Sequence, residues 1–316
     1  MKRFTYLEKY LKKARKTFPP MIPGYTLGRR LGVGGMGVVF LAERNSDRAL
    51  VAIKFLLPDQ ALNPLARKVF VREQGSMWLL RHRNLVAFLD NGIVGDIPWF
   101  VMEYCHHGDL DGLVWRKGGR IPALFAAKIT RQVLDGLEAL HLAGLVHRDL
   151  KPENVFLTTV SGEGLVKVAD FGLAHSYENA GVGSLTAQGT WMGSPPFMSR
   201  EQLEDFSGVG PAADLWAAGA TLYFMLSGQF TREFPEGSLD NAIAAAEIVD
   251  TAPIIPLRAR LEGVDHDVPD ALFDVVERAV HPTAEPSPKG RFATAAEFRD
   301  ALAAAIPTVG SSAKGP

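Results

Sequence analysis

The sequence predicts an α+β chain in two parts, a strand-rich first third and a larger, mostly helical remainder. Three observations lead there. Alternating apolar and polar residues run from Tyr25 to about Glu103, interrupted by one helical pattern near 65–81. From about Leu110 onward apolar residues recur at helical spacing, and strand-like runs are short, near 153–158 and 165–168. The segment 176–200 is rich in Gly, Ser, Thr and Pro and has no period. It reads as a loop, and loops of that length inside a compact domain are usually functional.

The elements at either end follow from charge and spacing. Residues 1–24 form a basic arm. Phe4, Leu7, Leu11, Ala14 and Phe18 recur at spacings of three and four, which predicts an amphipathic helix over 1–18. Phe18-Pro19-Pro20 and Pro23-Gly24 end it. Residues 1–17 hold seven basic side chains and one acidic one, so the remainder carries 27 basic against 34 acidic residues. An acidic body therefore bears a basic arm. The whole chain has a net charge of −1, which gives no nucleic-acid signature. The single cysteine, Cys105, excludes an intrachain disulfide and fits a reducing compartment. No apolar core of a secretory signal follows the basic start. The run Leu215–Leu226 is too short to span a bilayer and reads as a buried helix. The body is expected to extend over 25–305, closing with an Ala-rich helix at 293–305, and residues 306–316 to form a flexible tail.

Several short motifs carry chemistry. Leu31-Gly32-Val33-Gly34-Gly35-Met36-Gly37-Val38-Val39 fits G-x-G-x-x-G through Gly32, Gly34 and Gly37. Glycine lets backbone amides approach a phosphate with no Cβ in the way. A plain hairpin fits the pattern too, and so does a dinucleotide-binding turn, although the residues that follow are strand-like where that turn needs a helix. Val51-Ala52-Ile53-Lys54 is an alternating strand ending in a lysine. That lysine is either a solvated strand residue or a second phosphate contact, with Glu73 on the next helix as its ion-pair partner. The most informative segment is His147-Arg148-Asp149-Leu150-Lys151-Pro152-Glu153-Asn154, followed by Asp170-Phe171-Gly172. Phosphoryl transfer needs a carboxylate to orient the attacking hydroxyl, a cation for the γ-phosphate, and hard oxygen ligands for Mg²⁺. Asp149, Lys151, and Asn154 with Asp170 supply these in order. Either segment alone could be a charged surface loop; together, after a glycine loop and a V-A-I-K strand, they form a set.

With these motifs in this order, the chain resembles the protein kinase superfamily, and most of all the bacterial Hanks-type serine/threonine kinases. The resemblance covers about Tyr25 to Ala305. It implies a two-lobed fold with a small β-rich N-lobe (about 25–105) holding one main helix, and a larger helical C-lobe (about 106–305). ATP is expected in the cleft between the lobes, with Mg²⁺ as cofactor and protein Ser/Thr hydroxyls as acceptors. The resemblance makes Asp149 the base, assigns Lys54 to the α- and β-phosphates, Glu73 to that lysine, and Asn154 and Asp170 to the metal. Lys151, two residues after the base, resembles serine/threonine rather than tyrosine kinases. Leu31 and the loop glycines line the nucleotide, Val39, Ala52 and Phe156 sandwich the adenine, Met102 is the gatekeeper, Glu103 and Cys105 form the hinge, and Asp109 meets the ribose.

Met77, Phe88, His147 and Phe171 match residues that stack between the lobes, with Asp214 anchoring the stack. Two departures stand out. Ala-Pro-Glu is replaced by Ser199-Arg200-Glu201, with Arg291 the expected partner of Glu201, and Ser194 stands where the family has threonine. Phosphorylation by the chain of its own segment, at Thr186 or at Ser184 or Thr190, is a further expectation, motivated by Arg148. The expected location is cytoplasmic, and the arm is expected to serve self-association or membrane-surface contact.

Overall fold

The computed structural model describes residues 19–34, 37–61, 70, 80–171, 193–206, 208–283 and 290–306. The arm helix over 1–18, Glu73, Met77, Gly172, the segment residues Ser176, Tyr177, Ser184, Thr186 and Thr190, and the tail from 307 lie outside the described residues. So does almost all of the helix expected near 65–81. The chain divides into two compact units. One ends at Gln74 and takes up the chain again over Ala87–Tyr104; the other comprises Gly75–Val86 and everything from Cys105.

The first unit is one antiparallel sheet. Its strands are β1 (Tyr25–Val33), β2 (Gly37–Arg44), β3 (Leu50–Leu56), β4 (Phe88–Val94) and β5 (Ile97–Glu103), in the spatial order β1-β2-β3-β5-β4. Register follows from alternation. Val39 pairs with Lys54 and Lys54 with Phe100, while Leu41 pairs with Ala52 and Ala52 with Met102. Paired residues share a face, so these side chains lie on one side of the sheet. Val38, Ala42, Val51, Ile53, Phe55, Trp99 and Val101 lie on the other and form its buried core with Ile22 and Leu57. The sheet curls around that core until its edge strands meet, where the Tyr25 hydroxyl of β1 donates to Asp90 of β4 at 2.9 Å. Burial first, then Asp90, pushes the Tyr25 phenol up to about 12, so it stays a donor. Trp99 lies across Gly92, where an added Cβ would sit 2.5 Å from the indole ring.

The second unit is mainly helical. Its longer helices are α1 (Leu110–Arg116), α2 (Ala123–Leu142), α3 (Pro211–Ser227), α4 (Ala242–Thr251), α5 (Asp270–Ala279) and α6 (Ala295–Ala305). The apolar run at Leu215–Leu226 lies within α3, and nearly every side chain of that helix is buried. Pro211 opens α3 at a position that needs no N–H, and Gly228, at φ 72°, closes it. Helix α6 is capped by Thr294, which accepts from the Glu297 amide at 3.1 Å. It is tied to α2 by Arg299, which reaches Asp135 at 2.7 Å and Glu138 at 2.6 Å. Among the described residues no helix is long and apolar enough to cross a membrane.

The two short strands read near 153–158 and 165–168 form the hairpin β6 (Val155–Val160) and β7 (Glu163–Val168), their bounds shifted by up to two residues. Its two-residue turn has both Ser161 and Gly162 at positive φ, 52° and 84°, a geometry that matches strand twist. Gly75–Val86, which the sequence places in the N-lobe, belongs to the second unit. The reason is backbone pairing: the Val168 amide donates to the Asn84 carbonyl at 2.8 Å and the Val86 amide to the Val168 carbonyl at 2.9 Å. Asn84 Nδ2 adds a buried bond to the Val166 carbonyl at 2.9 Å.

Candidate active site

The loop His147–Asn154 is held from below by α3. Asp214, in the first turn of α3, is 1% exposed. Its Oδ2 accepts from the His147 amide and from His141 Nε2, each at 2.8 Å, and its Oδ1 accepts from the Arg148 amide at 2.8 Å. Burial alone would push this carboxyl up; the hydrogen bond and charge of His141, with His147 behind it, outweigh burial and hold it below the usual aspartate value. Arg148 adopts φ 65°, a left-handed conformation that costs a side-chain-bearing residue about 1–3 kcal/mol. The bond to Asp214 and one from Gln202 Nε2 to the Arg148 carbonyl at 2.8 Å hold it there. The His147 ring donates through Nε2 to the Ala169 carbonyl at 2.9 Å and accepts at Nδ1 from the Asp149 amide at 3.3 Å. The sequence singled out Asp214 but neither His141 nor Gln202. Both are ordinary polar residues of helical segments, and no local motif marks them.

Four of the expected residues come together above that clamp. Lys151 Nζ lies 3.0 Å from Asp149 Oδ2 and donates to Ser194 Oγ at 2.7 Å. Asn154 Nδ2 donates to the Asp149 carbonyl at 2.8 Å and lies 3.4 Å from Asp149 Oδ2. Asp149 Oδ1 is buried and has no hydrogen-bond partner among the described residues. Ser194 thus takes up the lysine as the expected threonine would. Asn154 is 6% exposed; its amide is fixed through Nδ2, and no described residue donates to its Oδ1. The Ala169 amide donates to the Asn154 carbonyl at 2.8 Å, so Asp170 is tied to Asn154 through the residue next to it. Asp170 is half-buried at φ 56°. An amide oxygen and a carboxylate are hard donors of the kind Mg²⁺ takes beside phosphate oxygens, so the residues fit that ion.

The remaining expected residues divide between the units. In the first, Val39, Ala52, Lys54 and Met102 share the sheet face opposite the core, and Gly32 joins them by pairing with Val39. Lys54 Nζ lies 5.5 Å from the centre of the Phe100 ring on that face. The Gly34 amide donates to the Gly37 carbonyl at 2.8 Å, closing the glycine turn after Leu31. An added Cβ at Gly37 would sit 2.7 Å from the Phe55 carbonyl oxygen, so the turn admits no side chain there. Glu103 ends β5, and its amide donates to the Ala87 carbonyl at 2.9 Å. In the second unit Cys105 is a buried free thiol. Asp109 and Phe156 form a β-bridge. Asp109 also caps α1, Oδ1 accepting from the Gly112 amide at 2.8 Å, a role the sequence reading did not include.

The expected pair of Glu201 and Arg291 forms. Arg291 is fully buried and grips both carboxylate oxygens of Glu201, Nη2 to Oε2 at 3.2 Å. It also donates to the carbonyls of His281 at 2.6 Å and Pro282 at 3.1 Å.

With a buried acid clamping the loop, an aspartate paired with a lysine and an amide–carboxylate pair beside them, the chain belongs to the protein kinase domain family, whose pattern matches residues 25–282. Its relatives include bacterial serine/threonine-protein kinases. It is 34% identical over 283 residues to Pkn1 of Myxococcus xanthus, 89% of this chain and 38% of that protein. It is 31% identical over 279 residues to PknB of Mycobacterium tuberculosis, 87% of this chain and 42% of that one. The chain thus spans about two fifths of the length of these curated relatives. Among solved structures it resembles in fold the PknI kinase domain of Mycobacterium tuberculosis, with a TM-score of 0.65 at 24% identity, covering 90% of this chain and 98% of that one.

Proposed function

We propose that this chain transfers the γ-phosphoryl group of ATP to serine or threonine hydroxyls of protein substrates. The observation that carries the proposal is the Asp149 carboxylate. Lys151 and Asn154 hold one oxygen, and the other is buried with no partner. An acceptor hydroxyl that donates there satisfies a lone pair that otherwise costs free energy. Asp149 orients the hydroxyl and takes its proton as the oxygen bonds to the γ-phosphorus and the bond to the ADP oxygen breaks. Lys151, already fixed between Asp149 and Ser194, offsets charge on the transferring group. Lys54 neutralises the α- and β-phosphates, with Glu73 as its orienting partner. Asn154 and Asp170 hold Mg²⁺, which when bound neutralises charge on the phosphate oxygens. Leu31, Gly32, Gly34 and Gly37 cover the nucleotide, Val39, Ala52 and Phe156 pack on its base, Met102, Glu103 and Cys105 line the hinge, and Asp109 binds the ribose through the oxygen not used in capping. ATP supply and the free thiol of Cys105 favour a cytoplasmic setting. Residues 1–18 are assigned to self-association or to an anionic membrane surface.

The test is transfer of label from γ-labelled ATP to a panel of protein substrates, with Asp149→Asn as control. That variant keeps the size of the side chain and is expected to bind nucleotide. Loss of the base is expected to slow transfer by roughly 10² to 10⁴. Transfer within a few-fold of wild type, or label on tyrosine alone, would overturn the reading.

A further inference from the structure

Among the described residues, a guanidinium in the second unit has no counter-ion for most of its donors. Arg232 lies in the connection between α3 and α4 and is 4% exposed. Its Nε donates to the Ala252 carbonyl at the end of α4 at 3.3 Å, and its guanidinium carbon lies 5.3 Å from the Trp216 ring centre. Nη1 is buried and makes no hydrogen bond. Nη2 makes none either and is not sealed from solvent, so the terminal fork meets the surface at Nη2. Next to it the Thr231 hydroxyl is buried, also without a partner. The nearby charges do not neutralise the group. Burial first, then Arg291 and Arg200, hold its pKa down to about 10, with Glu201 opposing them. Glu201 is already gripped by Arg291, and Arg200 is engaged with Asp250 at 2.7 Å.

This fork is coupled by packing to the acceptor side of the site. Ser194, the partner of Lys151, opens the turn Pro195–Phe197. The Phe197 ring packs edge-on against Phe224 at 5.9 Å and Phe230 at 5.7 Å. Phe230 is two residues before Arg232, and Phe197 shares a core with Trp216, the ring beneath the guanidinium. Arginine presents parallel donors that match a carboxylate or a phosphate. An oxyanion seated on Nη1 and Nη2 satisfies two donors and cancels a buried charge.

We propose that Arg232 is a specificity-determining residue that seats a carboxylate or phosphate of the protein substrate, next to the turn that positions the acceptor. The inference rests on the phosphotransfer reading for the identity of the substrate, but the anion seat itself does not. The first measurement is therefore independent of activity. Melting of the whole chain is followed against inorganic phosphate at constant ionic strength, in wild type and in Arg232→Met. Wild type is expected to rise with phosphate and the variant to stay flat. In phosphate-free buffer the variant is expected to melt no lower than wild type, because it removes a buried charge that lacks a counter-ion.

The second measurement is kcat/KM on peptide sets in which aspartate or phosphoserine replaces alanine at each position around a fixed acceptor serine. Hydrogen bonds to charged groups predict a preference of roughly ten- to a hundredfold at one position, collapsing to near unity in Arg232→Met. Should that variant not fold, Arg232→Lys keeps the charge but loses the fork, and is expected to weaken both responses. An equal phosphate response in wild type and variant, or an acid preference that survives in the variant, overturns the seat. A phosphate response confined to wild type with no transfer to any peptide overturns the phosphotransfer reading instead and leaves the anion site standing.

Discussion

Replacing Asp214 by Asn tests the clamp beneath the catalytic loop with almost no change in volume. Three donors converge on two carboxylate oxygens, the His147 amide and His141 on Oδ2 and the Arg148 amide on Oδ1. Asparagine offers one oxygen. In its better orientation it keeps the two bonds at Oδ2 and points an NH₂ at the Arg148 amide. One charge-assisted bond is lost, a buried N–H is left unsatisfied, and the other two bonds now meet a neutral acceptor. At about 1.5–3 kcal/mol for a bond to a charged group, less the desolvation that a neutral amide avoids, the expected loss is about 3 kcal/mol. Arg148 also loses the bond that holds it at φ 65°, and Asp149 is its neighbour in the chain. Urea unfolding followed by tryptophan fluorescence should show the loss, and kcat should fall more than the KM for ATP. The loss has a pH signature. The folded carboxyl titrates below its ordinary value, so its contribution is complete above about pH 4 and is lost as pH falls through the lower, folded value. The gap between wild type and Asp214→Asn should therefore narrow in acid. A gap under about 0.5 kcal/mol at pH 7, or one that widens on acidification, would refute the reasoning.

Arg291→Met should destabilise the second unit by about 1–3 kcal/mol, because it removes the partner of a part-buried carboxylate and of two carbonyls. Arg291→Lys should recover only part, since it cannot bond both Glu201 oxygens at once; full recovery in thermal melts would mean that charge alone matters. Asp170→Ala should remove the Mg²⁺ dependence of ATP binding measured by calorimetry, and an unchanged dependence would move the metal away from Asn154 and Asp170.

The grouping of Asp149, Lys151 and Asn154 was legible because the three are nearly contiguous. They fall within Asp149–Asn154, and one turn of backbone brings them together. Lys54 was legible for a different reason: strand alternation fixes which face it shares with Val39 and Ala52. What the sequence did not disclose depends on pairing between distant segments. Nothing in Gly75–Val86 reveals that Asn84 and Val86 exchange backbone bonds with Val168. The start of β7 was missed because Glu163 and Gly164 are exposed and carry no apolar alternation; the positive φ of Ser161 and Gly162 sets the turn, and serine is a weak signal for it. His141 was silent because one histidine on a helix has no motif until Asp214 stands 2.8 Å away.

Helix α3 explains why these distant pieces act as one site. With hardly any solvent face it has no orientation to trade against packing, so whatever bonds to it is fixed in position. Asp214 and Trp216 are two residues apart and point to nearly opposite sides of the helix. The Asp214 side holds the loop that carries Asp149. Trp216 and Ala220, one turn apart, form the opposite side with Phe224 beside them, and receive Phe197, Phe230 and the Arg232 guanidinium. Trp216 Nε1 also donates to the Val280 carbonyl at 3.3 Å, and at Gly219 the backbone of α3 comes so close to α5 that an added Cβ would sit 2.5 Å from the Ala279 methyl. The loop that holds the base and the turn that holds Ser194 are therefore referenced to the same buried rod from opposite sides. Lys151 joins them through its bond to Ser194. The position of Asp149 is then set by a helix that does not itself belong to the loop, which is why a change at Asp214 is expected to lower kcat more than the KM for ATP.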